Sequence, residues 1–392
     1  MLQRQSVFKD ETKLDINYVP SRLPHRETEL RLLLEFFSFV LQSPRKMAQR
    51  VVITGNVGAG KTVLSQRFGV EVIHEANKRG VNLRYVHINC RECRGSLFLI
   101  LQRLILVFHP NFPRRGYSAE ELLDILLKVL DEEDTHVIAT LDEFDSLVEN
   151  EGSDAVYKLT RAQETRQNKP QRLSLVCIFR NLKTVEQLDA SSQSTLQSNI
   201  VNLETYSKQQ LTDILSDRTS LAFKPSTVPE NTISLVAELA SSEDGNARFG
   251  IELLWRAGKY ADAEDSAVVT LECVRKAVSS IIPGMRRADL ASLSFHEKLL
   301  LLGTARLLKE GHKPSVSLVE AEQAYEIACE EFAVKPNSHT QLWKYLHTLS
   351  RSGIVNTEVS TTGLRGRSTL IYLPRIPARE LEKELNMLLE KG

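Results

Sequence analysis

The segment GNVGAGKT, from Gly55 to Thr62, constrains this chain more than any other. It fits the pattern G-x-x-x-x-G-K-[ST], and it lies between a strand-like apolar run, RVVIT, and a helical pattern. In that setting glycines let consecutive backbone N–H groups converge on phosphate oxygens, and the helix N-terminus adds its positive dipole end. The segment predicts a phosphate-binding loop. The alternative is a tight glycine turn without nucleotide, which the strand-to-helix setting disfavours.

Every residue of this loop is a candidate contact for ATP or ADP. We expect Lys61 to reach the β- and γ-phosphates and the Thr62 hydroxyl to ligate Mg²⁺. The other candidate contacts are Gly55, Asn56, Val57, Gly58, Ala59 and Gly60.

A second signal is HVIATLDEFD, an apolar run that ends in Asp142 and Glu143. A carboxylate at the end of a strand can hold Mg²⁺, and an adjacent one can polarise the attacking water. We therefore expect Asp142 to be the metal partner and Glu143 the base. Acidic residues often begin loops, so the pair indicates a nucleotide-hydrolysis site only because a phosphate loop precedes it in the sequence.

The pattern of apolar runs predicts an α/β domain with a mostly parallel sheet. Helical patterns separate the strand-like runs, which are 50–54, 84–89, 136–141 and 173–179, with 200–203 as a fifth. After Tyr206 the strand signals stop, and helical patterns continue to about Ser280. A helical domain is expected there.

Two polar residues outside these motifs are candidates for contact with the γ-phosphate. Asn181 follows the run LSLVCIFR and could orient water, although by itself the residue is better explained as an asparagine in a turn. Arg248 begins a helical pattern whose apolar residues face the other way, and it could report the γ-phosphate. A solvated surface arginine is the alternative.

The C-terminal third predicts a winged helix-turn-helix. Three serines each precede a glutamate or glutamine by three residues, a capping arrangement that indicates three helix starts: Ser294 with Glu297, Ser317 with Glu320, and Ser338 with Gln341. Gly353 is expected to stop the third helix. Two β-rich runs, IVNTEVS and STLIYL, flank the turn TTGLRGR and complete the pattern as a hairpin.

Charge points to DNA at this end of the chain. Lys plus Arg and Asp plus Glu number 50 each, so only a local patch could attract a polyanion. Residues 338–379 hold six bases and one acid. With three leucines facing the core, the third helix would turn four candidate DNA contacts outward, namely Thr340, Lys344, His347 and Arg351. Two further candidates, Arg365 and Arg367, flank the tip of the hairpin. A winged helix that docks protein is the alternative.

Other classes of protein fit poorly. The most apolar run, 97–108, is too short to span a bilayer, and the N-terminus has no signal-peptide pattern, so we expect a cytoplasmic, chromosome-associated protein without membrane contact. Five cysteines suggest reduced thiols. Cys90 and Cys93 form a C-x-x-C pair, but zinc would need two further ligands nearby, so a coincidental pair is favoured.

Taken together, the phosphate loop, the D-E strand, the asparagine-ended strand and the arginine-bearing helical lid resemble an AAA+ ATPase. Further segments narrow the resemblance to archaeal initiators related to the origin recognition complex and the cell-division-control protein that loads the replicative helicase. These segments are LPHRETEL, LDEFDSL, IVNLETYSKQQLTDIL, GNARFGIELLWRAG and the C-terminal winged helix.

The resemblance implies an N-terminal tail (1–15), an AAA+ base domain (16–204), a helical lid (205–284) and a winged-helix domain (285–392). It places Pro20 and Arg26 near the adenine pocket and gives Tyr206 and Arg218 nucleotide contacts. It implies a helical insertion at about 91–118 that also grips DNA, with Arg114 and Arg115 as candidates. It further implies slow ATP hydrolysis used as a switch, and as partners double-stranded origin DNA, paralogous initiators and the minichromosome maintenance helicase.

One position departs from the family pattern. Members usually carry an arginine that reaches a neighbour's nucleotide in a stretch like L-D-x-R-x-x-S-S-L. Here the stretch reads LDASSQSTL, with Ser191 at the arginine position. We predict that this chain cannot stimulate a partner's ATP hydrolysis through that position.

Two other functional classes could use an ATPase domain of this kind. An ATP-dependent transcription regulator would combine the same ATPase and winged helix, because fold does not settle function. A clamp-loader-like ATPase is disfavoured by the winged helix.

Overall fold

The computed structural model describes residues 6–164, 166, 169–180, 183–196, 199–281, 290–309, 315–352, 354–360, 368–373 and 378–390. The chain divides into two compact units. The first, which we call the ATPase unit, comprises Asn17–Gln210 and Asp244–Ala247. The second, the C-terminal unit, comprises Met1–Ile16, Leu211–Glu243 and Arg248–Gly392.

A five-stranded parallel sheet forms the centre of the ATPase unit, in the order β2-β3-β4-β1-β5. The strands are β1 (Arg50–Gly55), β2 (Leu83–Asn89), β3 (His136–Asp142), β4 (Leu173–Ile178) and β5 (Ile200–Leu203). All five strands predicted from the sequence are confirmed, with ends that differ by one residue at most. The strands are apolar because helices cover both faces of the sheet.

Alternate residues along each strand enter two separate apolar cores. Val52 and Ala139 point into one core, while Ile53 and Ile138 point into the other. The helices of this unit are α1 (Glu27–Phe36), α2 (Ser38–Gln42), α3 (Lys61–Lys78), α4 (Leu97–Leu106), α5 (Ala119–Glu132), α6 (Asp145–Arg161), α7 (Lys183–Glu186) and α8 (Ala190–Leu196). Helices α1 to α3 cover one face, and α4, α5, α6 and α8 cover the other. Because all strands are parallel, the residues that follow β1, β2, β3 and β4 meet at one edge of the sheet.

The C-terminal unit begins with the N-terminal residues of the chain. Ser6 and Val7 bind the Asp262 carboxylate at 2.6 and 2.7 Å, and Phe8 stacks on Phe223 with ring centroids 4.7 Å apart. A short 3-10 helix, Glu11–Leu14, follows. Four longer helices make up the predicted helical region, namely α9 (Lys208–Ala222), α10 (Glu230–Ser242), α11 (Ala247–Ala263) and α12 (Leu271–Ile281). Residues 6–14, which the sequence indicated as part of a tail, are therefore packed on this unit.

The predicted winged helix is present in the same unit. Its elements are α13 (Phe295–Leu308), β6 (Val316–Ser317), α14 (Leu318–Glu331), α15 (His339–Arg351), β7 (Asn356–Ser360), β8 (Ser368–Tyr372) and α16 (Ala378–Leu389). Strands β7 and β8 form the antiparallel hairpin, and β6 pairs with β8. The short strand β6 and the final helix α16 were not predicted. Gly353, expected to stop the third helix, lies outside the described residues.

Two of the three predicted capping boxes are confirmed. Ser294 and Ser317 each accept a backbone N–H from the glutamate three residues later, and that glutamate binds back to the serine N–H. The third was wrong, because the Ser338 side chain makes no capping hydrogen bond. Gln341 instead donates its backbone N–H to the Ser338 carbonyl at 2.8 Å.

No helix among the described residues combines the length and apolarity needed to cross a membrane. No group of three or more His, Cys, Asp and Glu side chains there could hold a metal ion. All five cysteines are free and buried, and Cys90 and Cys93 pack within the larger core of the ATPase unit.

Candidate nucleotide site and candidate DNA-binding surface

The predicted phosphate loop lies between β1 and α3, as the sequence indicated. Gly58 and Gly60 have φ of 79° and 92°, in the left-handed region that side chains rarely adopt. A methyl group on Gly58 would lie 2.0 Å from the Asn246 Oδ1, and one on Gly60 would lie 2.8 Å from the Tyr206 hydroxyl. Both glycines are therefore required for close packing as well as for backbone conformation.

Lys61 is the first residue of α3. Its Nζ donates to the Gly55 carbonyl at 2.6 Å and to the Asn56 carbonyl at 2.9 Å, so the side chain folds back along the loop. Burial lowers the pKa of Lys61, while the nearby carboxylates of Asp142 and Asp145 act in the opposite direction. A cation that has lost part of its hydration favours an anion beside it.

Arg26 binds the backbone of the phosphate loop. Its buried guanidinium donates to the Ala59 carbonyl from Nε (3.2 Å) and Nη2 (3.1 Å), and Nη2 also reaches the Glu204 carbonyl. The guanidinium carbon stacks 4.1 Å from the centre of the Tyr206 ring. Arg26 and Tyr206 were both expected near the nucleotide, and the structure brings them together beneath the phosphate loop.

Asp142, at the end of β3, faces the first turn of α3. Its Oδ2 accepts the Thr62 hydroxyl at 2.7 Å and lies 3.4 Å from the His87 Nε2, and its Oδ1 accepts the Glu143 backbone N–H at 2.8 Å. Burial acts to raise the pKa of Asp142, but the hydrogen bonds from His87 and Thr62 outweigh it and the pKa is lowered. The two candidate Mg²⁺ ligands, Thr62 and Asp142, are therefore in direct contact. The lowered pKa keeps the Asp142 carboxylate ionised.

Glu143 adopts a left-handed backbone conformation with φ of 51°. Its Oε2 is buried and has no hydrogen-bond partner in the part of the chain that the structure describes. A buried acceptor left without a donor costs free energy, and such atoms often mark sites where a ligand or water binds. This carboxylate has the free acceptor that a general base needs.

Sequence reasoning missed two side chains at this edge. His87 projects from β2 toward Asp142. Asp145, at the start of α6, accepts the Arg180 backbone N–H and the Thr184 hydroxyl, each at 2.9 Å. Asp145 thus joins the ends of β3 and β4. As the third acidic residue of LDEFD, Asp145 was visible in the sequence, and this was the available signal for it. Asn181 lies outside the described residues.

The remaining candidates of the nucleotide site have other surroundings. Pro20 is buried in the ATPase unit. Arg218 belongs to the C-terminal unit, where its buried Nη1 donates to the Lys13 carbonyl at 3.0 Å. Arg248, also in that unit, is exposed. In the stretch GNARF, Ala247 donates its N–H to the Gly58 carbonyl at 3.3 Å, so the start of α11 contacts the phosphate loop within the ATPase unit.

The residues present fit a nucleotide with Mg²⁺. Two left-handed glycines give the loop a concave backbone without Cβ atoms, and the lysine and the start of α3 supply positive potential. One hydroxyl and one ionised carboxylate form the oxygen donor set that Mg²⁺ prefers.

The candidate DNA-binding surface lies on α15. Its three leucines, Leu342, Leu346 and Leu349, are buried, which confirms the predicted core face. The four candidate contacts Thr340, Lys344, His347 and Arg351 are all exposed. No acidic residue occurs between His339 and Arg351, so this face of the helix is basic.

The other candidate DNA contacts are only partly described. Arg114 and Arg115 are exposed in the segment between α4 and α5, and the Arg114 carbonyl accepts the Gln102 side chain at 3.0 Å. An open cavity of about 310 Å³, formed partly by the start of the insertion, is lined by Arg91, Arg94, Gly95, Ser146, Glu149 and Asn150. Arg365 and Arg367, at the hairpin tip, lie outside the described residues.

Sheet, phosphate loop, helical lid and winged helix together define an AAA+ ATPase-type protein with a winged-helix domain. The sequence matches two family descriptions. Residues 212–279 match the Cdc6 AAA+ ATPase-type lid domain, and residues 288–383 match the CDC6 C-terminal winged helix domain.

Full-length relatives extend these matches to the whole chain. The ORC1-type DNA replication protein 2 of Sulfolobus acidocaldarius is 33% identical over 398 residues, covering 100% of this chain and 96% of the relative. The ORC1-type DNA replication protein 1 of Archaeoglobus fulgidus is 30% identical over 369 residues, covering 94% of this chain and 88% of the relative. The chain belongs to the family of ORC1-type DNA replication proteins.

Solved structures agree with this assignment. Cdc6p from Pyrobaculum aerophilum has a TM-score of 0.86 at 29% identity and covers 98% of this chain and 99% of its own. The Aeropyrum pernix ORC1 protein, solved in complex with DNA, has a TM-score of 0.65 at 27% identity, with 99% and 98% covered. The Aeropyrum pernix ORC2 protein, solved as ADPNP-ADP complexes, has a TM-score of 0.64 at 25% identity, with 98% of each chain covered.

Proposed function

We propose that this protein is an ATP-dependent replication initiator that binds origin DNA and helps to recruit the minichromosome maintenance helicase. The observation that carries the proposal is that one chain combines a phosphate loop beside an acidic strand end, where Thr62 donates to Asp142 at 2.7 Å, with an exposed basic winged-helix surface. Its relatives are ORC1-type replication proteins, and one neighbour was solved with DNA. The predicted division into base domain, lid and winged helix forms part of this proposal.

Within the nucleotide site, each residue has a distinct proposed role. Lys61 and the backbone N–H groups of the loop bind phosphate oxygens, and Thr62 and Asp142 hold Mg²⁺. When bound, Mg²⁺ neutralises negative charge on the phosphates of the ATP substrate. Glu143 orients the attacking water and accepts its proton at Oε2. Arg26 and Tyr206 hold the loop in shape.

The proposed consequence of hydrolysis is a conformational switch. Arg248, Arg218 and Asn181 respond to the nucleotide, so ATP and ADP favour different arrangements of the lid, and slow hydrolysis sets the lifetime of the ATP form.

Calorimetric titration with ATP tests the nucleotide site. We expect Lys61→Ala to weaken binding at least about tenfold, because a charge-assisted contact to phosphate is worth roughly 1.5–3 kcal/mol. Lys46→Ala, which removes an exposed lysine of the same unit, is the control and should bind normally. Equal affinity of the two variants would contradict the proposed site.

DNA occupancy in cells tests the cellular role. An initiator should occupy replication start sites, whereas occupancy restricted to promoters would instead favour the transcription regulator. In purified material, Lys344→Ala should weaken duplex binding and flatten its salt dependence, because each lost phosphate contact lowers the slope by about 0.9. ATP binding should be unchanged in that variant.

The absence of an arginine at position 191 leads to a separate proposal about partners. Ser191 lies in α8, where its carbonyl accepts the Thr195 hydroxyl at 3.0 Å. A serine cannot supply charge to a neighbour's nucleotide, so we expect no acceleration of ATP hydrolysis when this chain is mixed with a paralogous initiator. Acceleration that survives substitution of Arg161 and Arg180 would contradict this expectation.

A further inference from the structure

Trp343 is a large apolar side chain on the exposed surface of α15, and 44% of its surface is accessible. The other aromatic residue of this helix is held by the core. Tyr345 accepts the Asn337 side-chain N–H at 2.8 Å, and its ring lies parallel to that of His296, 6.3 Å between centroids. Trp343 has no hydrogen bond or ring contact of this kind with any residue that the structure describes.

The indole shares a face with the basic residues. At about 100° per residue in an α-helix, five residues fall within an arc of roughly 100°: Thr340, Trp343, Lys344, His347 and Arg351. The buried leucines lie on the opposite side. Trp343 is at the margin of the exposed arc, between the core face and the basic stripe.

The ligand of such a face must offer both negative charge and apolar surface. No acidic residue is present on α15, and Lys344, His347 and Arg351 are exposed on the same face of the helix as the indole. The major groove of duplex DNA offers this combination, since phosphates line its rims and thymine methyl groups project into it. Exposed tryptophan is also enriched where proteins form contacts.

We propose that Trp343 contacts thymine methyl groups in the major groove and gives α15 a preference for A·T pairs at the steps it covers. The inference rests on the proposed DNA binding and adds a residue that determines specificity. Lys344 and Arg351 then supply affinity that does not depend on sequence, and the indole supplies the apolar contact. Each thymine methyl removed from the contact should weaken binding about fourfold, the amount expected for one buried methylene-sized group.

The test compares two duplexes of 30 base pairs that differ only in methyl groups. One has a mixed A·T-rich sequence, and the other has uracil at every thymine position. The chain contains only two tryptophans, Trp255 and Trp343, so Trp255→Phe makes Trp343 the sole fluorescent indole. The full-length Trp255→Phe protein should bind the thymine duplex at least about fourfold more tightly, with a change in indole emission on saturation.

Two variants separate the contact types. Trp343→Ala should lose the difference between thymine and uracil and keep the slope of log affinity against log salt. Lys344→Ala should keep the difference and lower the slope by about 0.9. Because Trp343 is exposed, unchanged thermal unfolding of the alanine variant is expected and excludes misfolding as the cause.

The outcomes separate this inference from the function on which it rests. Equal binding of both duplexes by the parent protein, unchanged indole emission, or discrimination that survives Trp343→Ala would each overturn the role of Trp343 while DNA binding stands. If the parent protein binds neither duplex at low salt, both the inference and the proposed DNA binding fail. Discrimination lost in both variants would show that Trp343 is not a separate apolar contact.

Discussion

The Arg26 guanidinium connects three segments of the ATPase unit that are far apart in sequence. It binds the carbonyls of Ala59 and Glu204 and stacks on Tyr206. Its Nη1 also pairs with the Glu29 carboxylate at 3.0 Å. A planar group with five donors can satisfy all of these acceptors at once, which a lysine cannot do. At the scale of single residues, the loop is therefore shaped by buried polar contacts beneath it.

We expect Arg26→Ala to destabilise the protein by about 3 kcal/mol, because it leaves buried carbonyls and a carboxylate without their partner. Nucleotide affinity should fall with it. Urea unfolding and ATP titration measure the two effects. Arg22→Ala is the matched control, since the Arg22–Glu27 pair is exposed at the surface and its loss should cost less than about 1 kcal/mol. Similar losses in the free energy of unfolding for both variants would contradict the proposal that Arg26 stabilises the phosphate loop.

Gly60→Ala is expected to weaken nucleotide binding about tenfold or more, equivalent to at least about 1.4 kcal/mol. The added methyl group would press on the Tyr206 hydroxyl. Gly80 provides the control, because its φ of 65° is also left-handed but no atom lies within 4 Å of the added methyl. Gly80→Ala should therefore show only the backbone cost, about 1 kcal/mol, in urea unfolding and leave ATP titration unchanged.

At the scale of secondary-structure elements, the winged helix shows what capping adds to stability. Helix α14 begins with a complete capping box at Ser317, whereas α15 begins at Ser338 without a side-chain cap. Both starts show the same sequence pattern. The serine rotamer and the position of the third residue decide whether the bond forms, and neither can be read from spacing alone.

Ser317→Ala should lower the free energy of unfolding by about 1 kcal/mol, the usual cost of a lost N-cap. Ser338→Ala should change it little, because no capping bond is lost. Denaturant unfolding of the two variants, followed by circular dichroism, gives a direct comparison. A larger loss from Ser338→Ala would show that its side chain caps α15 in solution.

Most elements were predictable because apolar periodicity reports burial directly. Strands β1, β3 and β4 were found since they are buried almost throughout, which makes their sequences almost continuously apolar. Helix α16 was missed although Leu381, Leu385 and Leu389 recur every four residues and are buried, a signal sufficient to predict it. The two-residue strand β6 is too short to leave any pattern.

The site was only partly predictable. The loop and the acidic pair follow from local motifs, whereas contacts such as that of His87 with Asp142 depend on strand register. His87 pairs with Thr140, and Asn89 pairs with Asp142, so His87 and Asp142 are diagonal neighbours on one face of the sheet. A change of one residue in that register would place them on opposite faces.

At the scale of the whole molecule, one buried histidine links stability to pH. His136, at the start of β3, is 1% exposed and its ring nitrogens contact the Pro44 carbonyl and the Ser174 hydroxyl at 2.7 and 2.8 Å. Burial, with a smaller contribution from Arg172, lowers the pKa of His136 to about 4. The folded protein thus holds this ring neutral where the unfolded chain would be protonated.

Because this pKa is lower in the folded state than in the unfolded state, stability is fully present above about pH 6.5 and falls as pH decreases toward 4. The loss attributable to His136 should approach about 3 kcal/mol, at 1.36 kcal/mol for each pKa unit. Urea unfolding at a series of pH values measures it. His136→Gln removes this titration, so its stability should depend less on pH between 6.5 and 4 than that of the parent protein. Parallel curves for the two proteins would contradict the assignment.

Neither compact unit is continuous in sequence, since the chain passes between them after residues 16, 210, 243 and 247. Residues 6–14 belong with the C-terminal unit through Phe8, Phe223 and Asp262. Chimaeras that exchange only the C-terminal halves of two paralogues would therefore join an N-terminal segment from one parent to helices from the other. A faithful exchange must transfer residues 6–14 together with the helices on which they pack.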